Sequence, residues 1–259
     1  MAGLDGANVG IAPHSLRAVP PHAMREVAAL SAGGPVHIHA AEQVKEVEDC
    51  LAWSGKRPIE WLLDNVTLDA RWCVVHATHM TSDETVRLAS SGATAGLCPI
   101  TEANLGDGIF NGVEFLKAGG ALGIGSDQNV LIGVADELRQ LEYSQRLRHR
   151  ARNVLAPPGG STGEALFGAA IKGGASGLGQ PPAGIRIGAR ADLVSLDTSG
   201  PAFAGRGVER YLDCWIFATR SAVDRVWAGG TRLVEAGRHI HRDAIAARFA
   251  RVMREMAEL

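Results

Sequence analysis

The sequence has 259 residues, 46% of them hydrophobic and 21% charged, with a formal net charge of −2. This balance gives no electrostatic reason to expect a nucleic acid or an anionic membrane as partner, and no apolar run reaches the ~20 residues that cross a bilayer. The start of the chain lacks the pattern of a signal peptide, and the four cysteines form no C-x-x-C pair. We therefore expect a cytoplasmic protein without a thiolate zinc site.

Short apolar runs alternate with helical patterns over the first 180 residues. Each run is too short for a helix and lies beside Gly or Pro, which predicts buried parallel strands. The predicted strands cover residues 9–12, 36–41, 73–77, 94–98 and 121–125. The predicted helices cover residues 42–53, 58–65, 81–90, 113–118, 135–153 and 162–175. This alternation predicts an α/β fold built from parallel βαβ units.

The sequence changes character after Gly184, where short strand patterns are separated by Gly-rich turns. Strands are predicted over residues 185–187, 192–196, 222–228 and 231–235, with a hairpin turn at Gly229-Gly230. Residues 242–259 alternate charged and apolar side chains, which predicts an amphipathic terminal helix.

Polar residues that can bind metals or transfer protons come just after the predicted strands of the first part. They are His14, His39 with Glu42, His76, Glu102 with Asn104, and Asp127. Functional residues at the carboxyl ends of successive parallel strands are typical of (β/α)8 barrels. Only five such strands are predicted, so the sequence indicates part of a barrel.

Three of these strand ends carry the residues with catalytic chemistry. A neutral His39 can bind zinc, and Glu42, three residues on, can reach the same water and shuttle its protons. His76 ends the next strand, and Asp127 follows the last one, where a carboxylate can bind a cation and accept a proton from water. Each pattern alone also has a structural explanation, a histidine without a catalytic role or a common turn. Their order along one sheet indicates the site of a metal-dependent hydrolase.

Together these motifs resemble the amidohydrolase superfamily, in the branch of aminohydrolases that use one zinc ion. The resemblance implies that His39 and Asp127 are metal ligands and that Asp127 also takes the first proton of the water. It implies that Glu42 is the proton shuttle and that His76 polarises the water or the tetrahedral centre. One Zn²⁺ per subunit is expected, and another divalent metal stays open.

The resemblance covers almost the whole chain and extends to its domains. It implies that residues 1–180 form strands 4–8 of a (β/α)8 TIM barrel of the metal-dependent hydrolase type. Residues 181–240 are expected to form part of a small β-sandwich, and residues 241–259 a C-terminal helix. The sequence around Gly188–Val194 is similar to the strand that returns the chain to this sandwich.

Three segments, residues 12–19, 37–43 and 98–108, are most similar to formimidoylglutamate deiminases. This resemblance implies hydrolysis of N-formimino-L-glutamate to N-formyl-L-glutamate and ammonia in histidine degradation. A substrate with carboxylates needs a cation near the metal, and Arg17 offers a planar fork while His14 offers a second donor. We expect His14 and Arg17 to bind this small molecule; a homodimer stays open.

The family's first two metal ligands form an H-x-H motif at the end of strand 1, and no residue before Val9 supplies one. His239-x-His241 has the spacing but follows the last predicted hairpin. Using His37-x-His39 as the first-strand pair would leave too few strands after it. We therefore expect strands 1–3 and two ligands to be missing from this chain.

Two alternatives stay open. Another aminohydrolase, of the guanine, S-adenosylhomocysteine or triazine type, would place aromatic side chains near the strand ends, but the chain has only 2 Tyr and 6 Phe. Thr101-Glu102 also stands where the purine enzymes usually have Ser-Asn. The second alternative is an inactive fragment that lacks the strand-1 ligands and exposes sheet edges.

Overall fold

The computed structural model describes residues 7–31, 33–128 and 131–258. The chain divides into two compact units, Met1–Ala183 and Gly184–Leu259. The finer division of the C-terminal region at residues 240 and 241 stays a prediction.

A parallel sheet of four strands, in the order β1-β2-β3-β4, forms the centre of the first unit. The strands are β1 (Val36–Ala40), β2 (Trp72–His76), β3 (Thr94–Leu97) and β4 (Ala121–Ile124). Each lies within a predicted strand, apart from the one-residue extension of β2 at Trp72. Alternate residues of β1 are buried, which leaves His37 and His39 on its half-exposed face. The prediction of an α/β fold with a parallel sheet is confirmed.

The strand predicted over residues 9–12 is wrong as a regular strand. Ile11 and Ser15 make only isolated parallel bridges, to Val36 and His39 of β1. Pro13 lies between the two bridges and has no N–H with which to continue the ladder. This segment therefore lies along the edge of β1 without completing a fifth strand.

Eight helices accompany this sheet in the described part of the first unit. They are α1 (Pro21–Ala29), α2 (Val44–Ser54), α3 (Pro58–Asn65), α4 (Ser82–Ser91), α5 (Pro99–Leu105), α6 (Gly112–Lys117), α7 (Val134–His149) and α8 (Thr162–Gly177). A capping box of Thr81 and Glu84 begins α4, and the Ser161 side chain caps the start of α8. Helices α1 and α5 were not predicted; both begin at a proline, the residue whose fixed φ suits a first helical position.

The second unit contains an antiparallel sheet in the order β5-β6-β7-β8. Its elements are β5 (Leu193–Leu196), α9 (Tyr211–Phe217), β6 (Val223–Ala228), β7 (Thr231–Glu235), β8 (Arg238–His239) and α10 (Arg242–Ala257). The hairpin at Gly229-Gly230 is confirmed, and both glycines have positive φ. The strand predicted over residues 185–187 is wrong, because Ile185 and Ile187 are almost fully exposed and pair with no strand.

The four cysteines are free and buried. Among the described helices, none combines the length and the apolar character that a membrane span requires.

Candidate active site

The predicted site residues gather at the carboxyl ends of the parallel strands. His39 lies near the end of β1, His76 closes β2, and Asp127 follows β4. The His39 ring centroid is 4.9 Å from that of His14 and 5.6 Å from that of His76. The structure therefore brings the three histidines together at the carboxyl ends of the strands, where α/β folds place their active sites.

The backbone is strained at this same edge. Ala41, His76, Ala77 and Asp127 have φ values of 54°, 67°, 50° and 43°, in the left-handed region that non-glycine residues avoid. Such a conformation costs about 1–2 kcal/mol per residue, and it persists only where the surrounding structure enforces it. Strain shared by the turns after β1, β2 and β4 supports a functional role for this edge.

The orientation of His39 suits a metal ligand. Its Nδ1 lies 2.8 Å from the carbonyl oxygen of His14, to which it can donate a hydrogen bond. In that tautomer Nε2 carries a lone pair and no proton. A backbone carbonyl that fixes one ring nitrogen is the usual companion of a metal-bound histidine.

Glu42 lies between two partners. Its Oε2 accepts a hydrogen bond from Arg17 Nη2 at 3.0 Å, and its Oε1 lies 3.8 Å from His76 Nε2. Glu46, a buried residue of α2, accepts from the backbone N–H of Ala41 at 3.0 Å and of Glu42 at 2.9 Å. Glu46 therefore holds the strained turn that presents Glu42, a role for which the sequence gives no signal.

Arg17 and His14 share an anchor in Ser15. The Ser15 hydroxyl oxygen accepts a hydrogen bond from the backbone N–H of Arg17 at 3.2 Å and lies 2.9 Å from His14 Nδ1. Ser15 itself is fully buried and bridges to β1 at His39. The segment that was expected to bind carboxylates thus lies beside the expected metal ligand, with Arg17 paired to Glu42.

His76 is buried and backed by a second buried carboxylate. Its Nδ1 lies 3.3 Å from Oε1 of Glu102, which also accepts the backbone N–H of Cys98 at 2.9 Å. Burial alone would lower the pKa of His76, but the hydrogen bond and charge of Glu102, with the charges of Glu42 and Asp127, raise it above its usual value. Glu102 was noted in the sequence as a strand-end residue but was given no role.

Asp127 is exposed in the turn after β4. The buried hydroxyl of Thr101 fixes this turn, because it donates to the carbonyl of Ser126 and accepts the N–H of Gln128, both at 3.2 Å. The charge of Asp127 contributes to the raised pKa of His76, which indicates that its carboxylate lies near this histidine.

Other histidines lie outside this cluster. The ring of His37 is hydrogen-bonded to the carbonyl of Gly177 at 2.7 Å, and that of His79 to the carbonyl of Asp107 at 2.8 Å. His239 and His241 belong to the second unit, at the junction of β8 and α10.

The donor chemistry of His39 and Asp127 fits a zinc ion, which binds neutral imidazole and carboxylate. Over the residues that the structure describes, no three His, Cys, Asp or Glu side chains are arranged to hold a metal ion. The described residues by themselves therefore form no closed metal site.

The chain is similar to several known proteins. The chain is 48% identical over 98% of its length to formimidoylglutamate deiminase from Pseudomonas aeruginosa, and it spans 56% of that protein. An amidohydrolase from Brucella melitensis has a crystal structure with a TM-score of 0.94 and 58% identity, covering 98% of this chain and 56% of its own. An adenosine deaminase from Xanthomonas campestris, solved with bound zinc, has a TM-score of 0.86 and 25% identity, covering 96% of this chain and 57% of its own.

The chain thus spans a little over half the length of these relatives. The sequence model of the amidohydrolase family matches residues 3–233, which is most of the chain. Family match, relatives and strand-end cluster lead to one conclusion: the chain belongs to the amidohydrolase family.

Proposed function

We propose that this chain carries part of the active site of a metal-dependent deiminase that converts N-formimino-L-glutamate to N-formyl-L-glutamate and ammonia. The observation that carries this proposal is the Arg17 guanidinium, 3.0 Å from the carboxylate of Glu42. A planar cation beside a proton-transfer residue suits a substrate with a carboxylate close to its reacting group. The identity to a formimidoylglutamate deiminase supports the same substrate.

His39 and Asp127 are the residues that would hold the metal, which we propose to be one Zn²⁺ per subunit, with another divalent ion open. When bound, such a metal polarises water and lowers its pKa toward neutrality. The tautomer of His39 supports this assignment, since its Nδ1 faces a carbonyl and its Nε2 keeps a lone pair.

The chain's own residues move the protons of the reaction. Asp127 accepts a proton from the attacking water, whose oxygen forms a bond to the formimino carbon. The terminal nitrogen gains two protons before it leaves, and the water supplies both: the one that Asp127 accepts and the one on the hydroxyl of the tetrahedral centre. Glu42 delivers them to the nitrogen, the carbonyl forms, and the bond from carbon to that nitrogen breaks, so that ammonia leaves. His76 donates a hydrogen bond through Nε2 to the tetrahedral centre. The proximity of Glu42 and His76, at 3.8 Å, supports their joint action on one centre.

His14 and Arg17 would hold the substrate carboxylates. Their common anchor in buried Ser15 fixes their position relative to β1, which supports a role in orientation as well as in affinity.

We further propose that β1 to β4 belong to strands 4–8 of a (β/α)8 barrel and that the second unit includes part of a β-sandwich. A cytosolic location is supported by the four unpaired cysteines. A small-molecule substrate without a nucleic-acid or membrane partner, and the open question of a homodimer, belong to the same proposal.

Measuring ammonia release from several candidate compounds tests the proposed substrate. Because the resemblance assigns two more metal ligands to a preceding H-x-H motif, the assay uses the chain itself and a chimera. In this chimera the N-terminal part of the Pseudomonas deiminase is joined ahead of residue 7. We expect the zinc-loaded chimera to release ammonia from N-formimino-L-glutamate and not from guanine or S-adenosylhomocysteine. Turnover of a purine without turnover of N-formimino-L-glutamate would overturn the assignment.

The chain by itself serves as the matched comparison. Because its described residues contain no group of three potential metal ligands, we expect it to retain zinc weakly and to show little or no turnover. The Glu42→Gln chimera controls for contaminating activity, because it should fold normally while losing the proton-transfer group.

A further inference from the structure

Arg17 and Glu42, which have separate proposed roles, form a hydrogen-bonded ion pair in the structure. Arg17 Nη2 donates to Glu42 Oε2 at 3.0 Å, and the two side chains are 37% and 12% exposed. Arg17 is proposed to bind the substrate carboxylate, and Glu42 to exchange protons with the reacting atoms. The pair therefore occupies a guanidinium donor that Arg17 needs for the substrate carboxylate and a carboxylate oxygen that Glu42 needs for proton transfer.

The pairing has a chemical consequence for both residues. While the pair is intact, the guanidinium occupies Oε2 of Glu42, so this oxygen is not available to the reacting atoms. A substrate carboxylate must also compete with Glu42 for the same guanidinium donors. Arg17 has room to change partners, because it is partly exposed and borders a cavity of about 290 Å³ that Leu16, Cys50 and Trp53 also line.

We propose that Arg17 is a switch that links substrate recognition to proton transfer: a bound substrate carboxylate draws Arg17 away from Glu42 and thereby frees Glu42 to act. This inference rests on the proposed function and extends it to specificity. An amidine without the carboxylate would leave Arg17 on Glu42, so it would be turned over slowly even when it reaches the site.

Ligand binding to the metal-free chain tests the exchange without any need for activity. The probe is N-formyl-L-glutamate, titrated by calorimetry into the wild type and into the Glu42→Gln and Arg17→Met variants. Because the Glu42→Gln chain no longer holds Arg17 by charge, we expect it to bind about fivefold more tightly, in keeping with a partly exposed ion pair. The Arg17→Met chain should lose most of the affinity.

Asp49→Asn is the matched control for general electrostatics. Asp49 lines the same cavity but pairs with Lys45 instead of Arg17. We expect this variant to bind within twofold of the wild type. Equal gains in Asp49→Asn and Glu42→Gln, no gain in Glu42→Gln, or no binding by any form would each overturn the proposal.

A second test uses the chimera and the truncated substrate N-methylformamidine, which has no carboxylate. We expect Arg17→Met to raise kcat/KM for this compound several-fold while lowering it for N-formimino-L-glutamate. A role in carboxylate binding alone predicts no change for the truncated substrate, and a structural role predicts a loss for both. Failure here with intact turnover of N-formimino-L-glutamate would reject the switch and leave the proposed function standing.

Discussion

At the scale of single residues, the orientation and protonation of the His76 ring depend on Glu102. This carboxylate is buried and takes hydrogen bonds from the Cys98 backbone and from Nδ1 of His76. With its proton on Nδ1, the ring turns Nε2 toward Glu42. Glu102 therefore orients His76 and favours its protonated form.

Replacing this carboxylate by an amide should lower the pKa of His76. In Glu102→Gln the fixed charge is lost while burial persists, and burial favours the neutral ring. NMR titration of the metal-free chain measures the change, with a His76→Asn spectrum to assign the resonance. The exposed Glu48→Gln variant should leave the titration unaltered. An unchanged pKa in Glu102→Gln would show that Glu102 does not act on His76.

The sequence could predict some of these residues and not others. His39, Glu42, His76 and Asp127 are found by their spacing from apolar runs, because their place follows from where a strand ends. Glu46 could not be found in this way, since it acts through the N–H groups of a turn that exists only in the folded chain. The Arg17–Glu42 pair likewise joins residues on different elements.

At the scale of elements, α8 and β4 are in backbone contact at Gly173. A Cβ atom on Gly173 would lie 1.9 Å from the carbonyl oxygen of Leu122, whereas one on Gly168, in the same helix, would meet nothing within 4 Å. Gly173→Ala should therefore force α8 away from the sheet and lower the free energy of unfolding by about 3 kcal/mol or more.

Gly168→Ala is the control, and its effect should have the opposite sign. With free space around it, alanine should stabilise the helix by about 0.5–1 kcal/mol. Urea denaturation of both variants measures these differences. Equal effects of the two substitutions would contradict the close approach of α8 to β4.

Helices α7 and α5 meet at Glu137, a buried carboxylate that gives the fold a pH dependence. Its Oε2 accepts the N–H of Ile100, its Oε1 has no hydrogen-bond partner among the described residues, and burial raises its pKa from 4.5 to about 7. A raised carboxyl pKa contributes stability that is full below the unfolded value and is lost as pH rises through the folded value.

The free energy of unfolding should thus fall between about pH 4.5 and pH 7. Glu137→Gln should remove this part of the slope and be more stable than the wild type above pH 7, by about 2–3 kcal/mol. Chemical denaturation across this range measures it, with the exposed Glu48→Gln as control. Parallel pH profiles for the wild type and Glu137→Gln would contradict the buried, destabilised charge.

The elements themselves were predicted where one local signal decides them. Buried apolar runs marked β1 to β4. The prediction of a strand from an apolar run was wrong at residues 9–12, because Pro13 prevents regular pairing. It was wrong again at 185–187, where apolar residues stay exposed in the structure.

At the scale of the whole molecule, every residue to which we propose a role in the reaction lies in the first unit, at the carboxyl ends of its parallel strands or in the segment beside β1. The chain spans a little over half the length of these relatives, and its described residues contain no group of three potential metal ligands. The proposed reaction depends on Glu42, which we propose delivers a proton to the terminal nitrogen of a formimino group.

Product analysis tests that claim most directly. The tetrahedral centre formed from N-formimino-L-glutamate carries two nitrogens, and the one that receives the proton departs. NMR of the products made by the zinc-loaded chimera should show N-formyl-L-glutamate and ammonia in equal amounts, and the Glu42→Gln chimera should form neither. Glutamate and formamide as the products, or undiminished product formation by Glu42→Gln, would contradict the account.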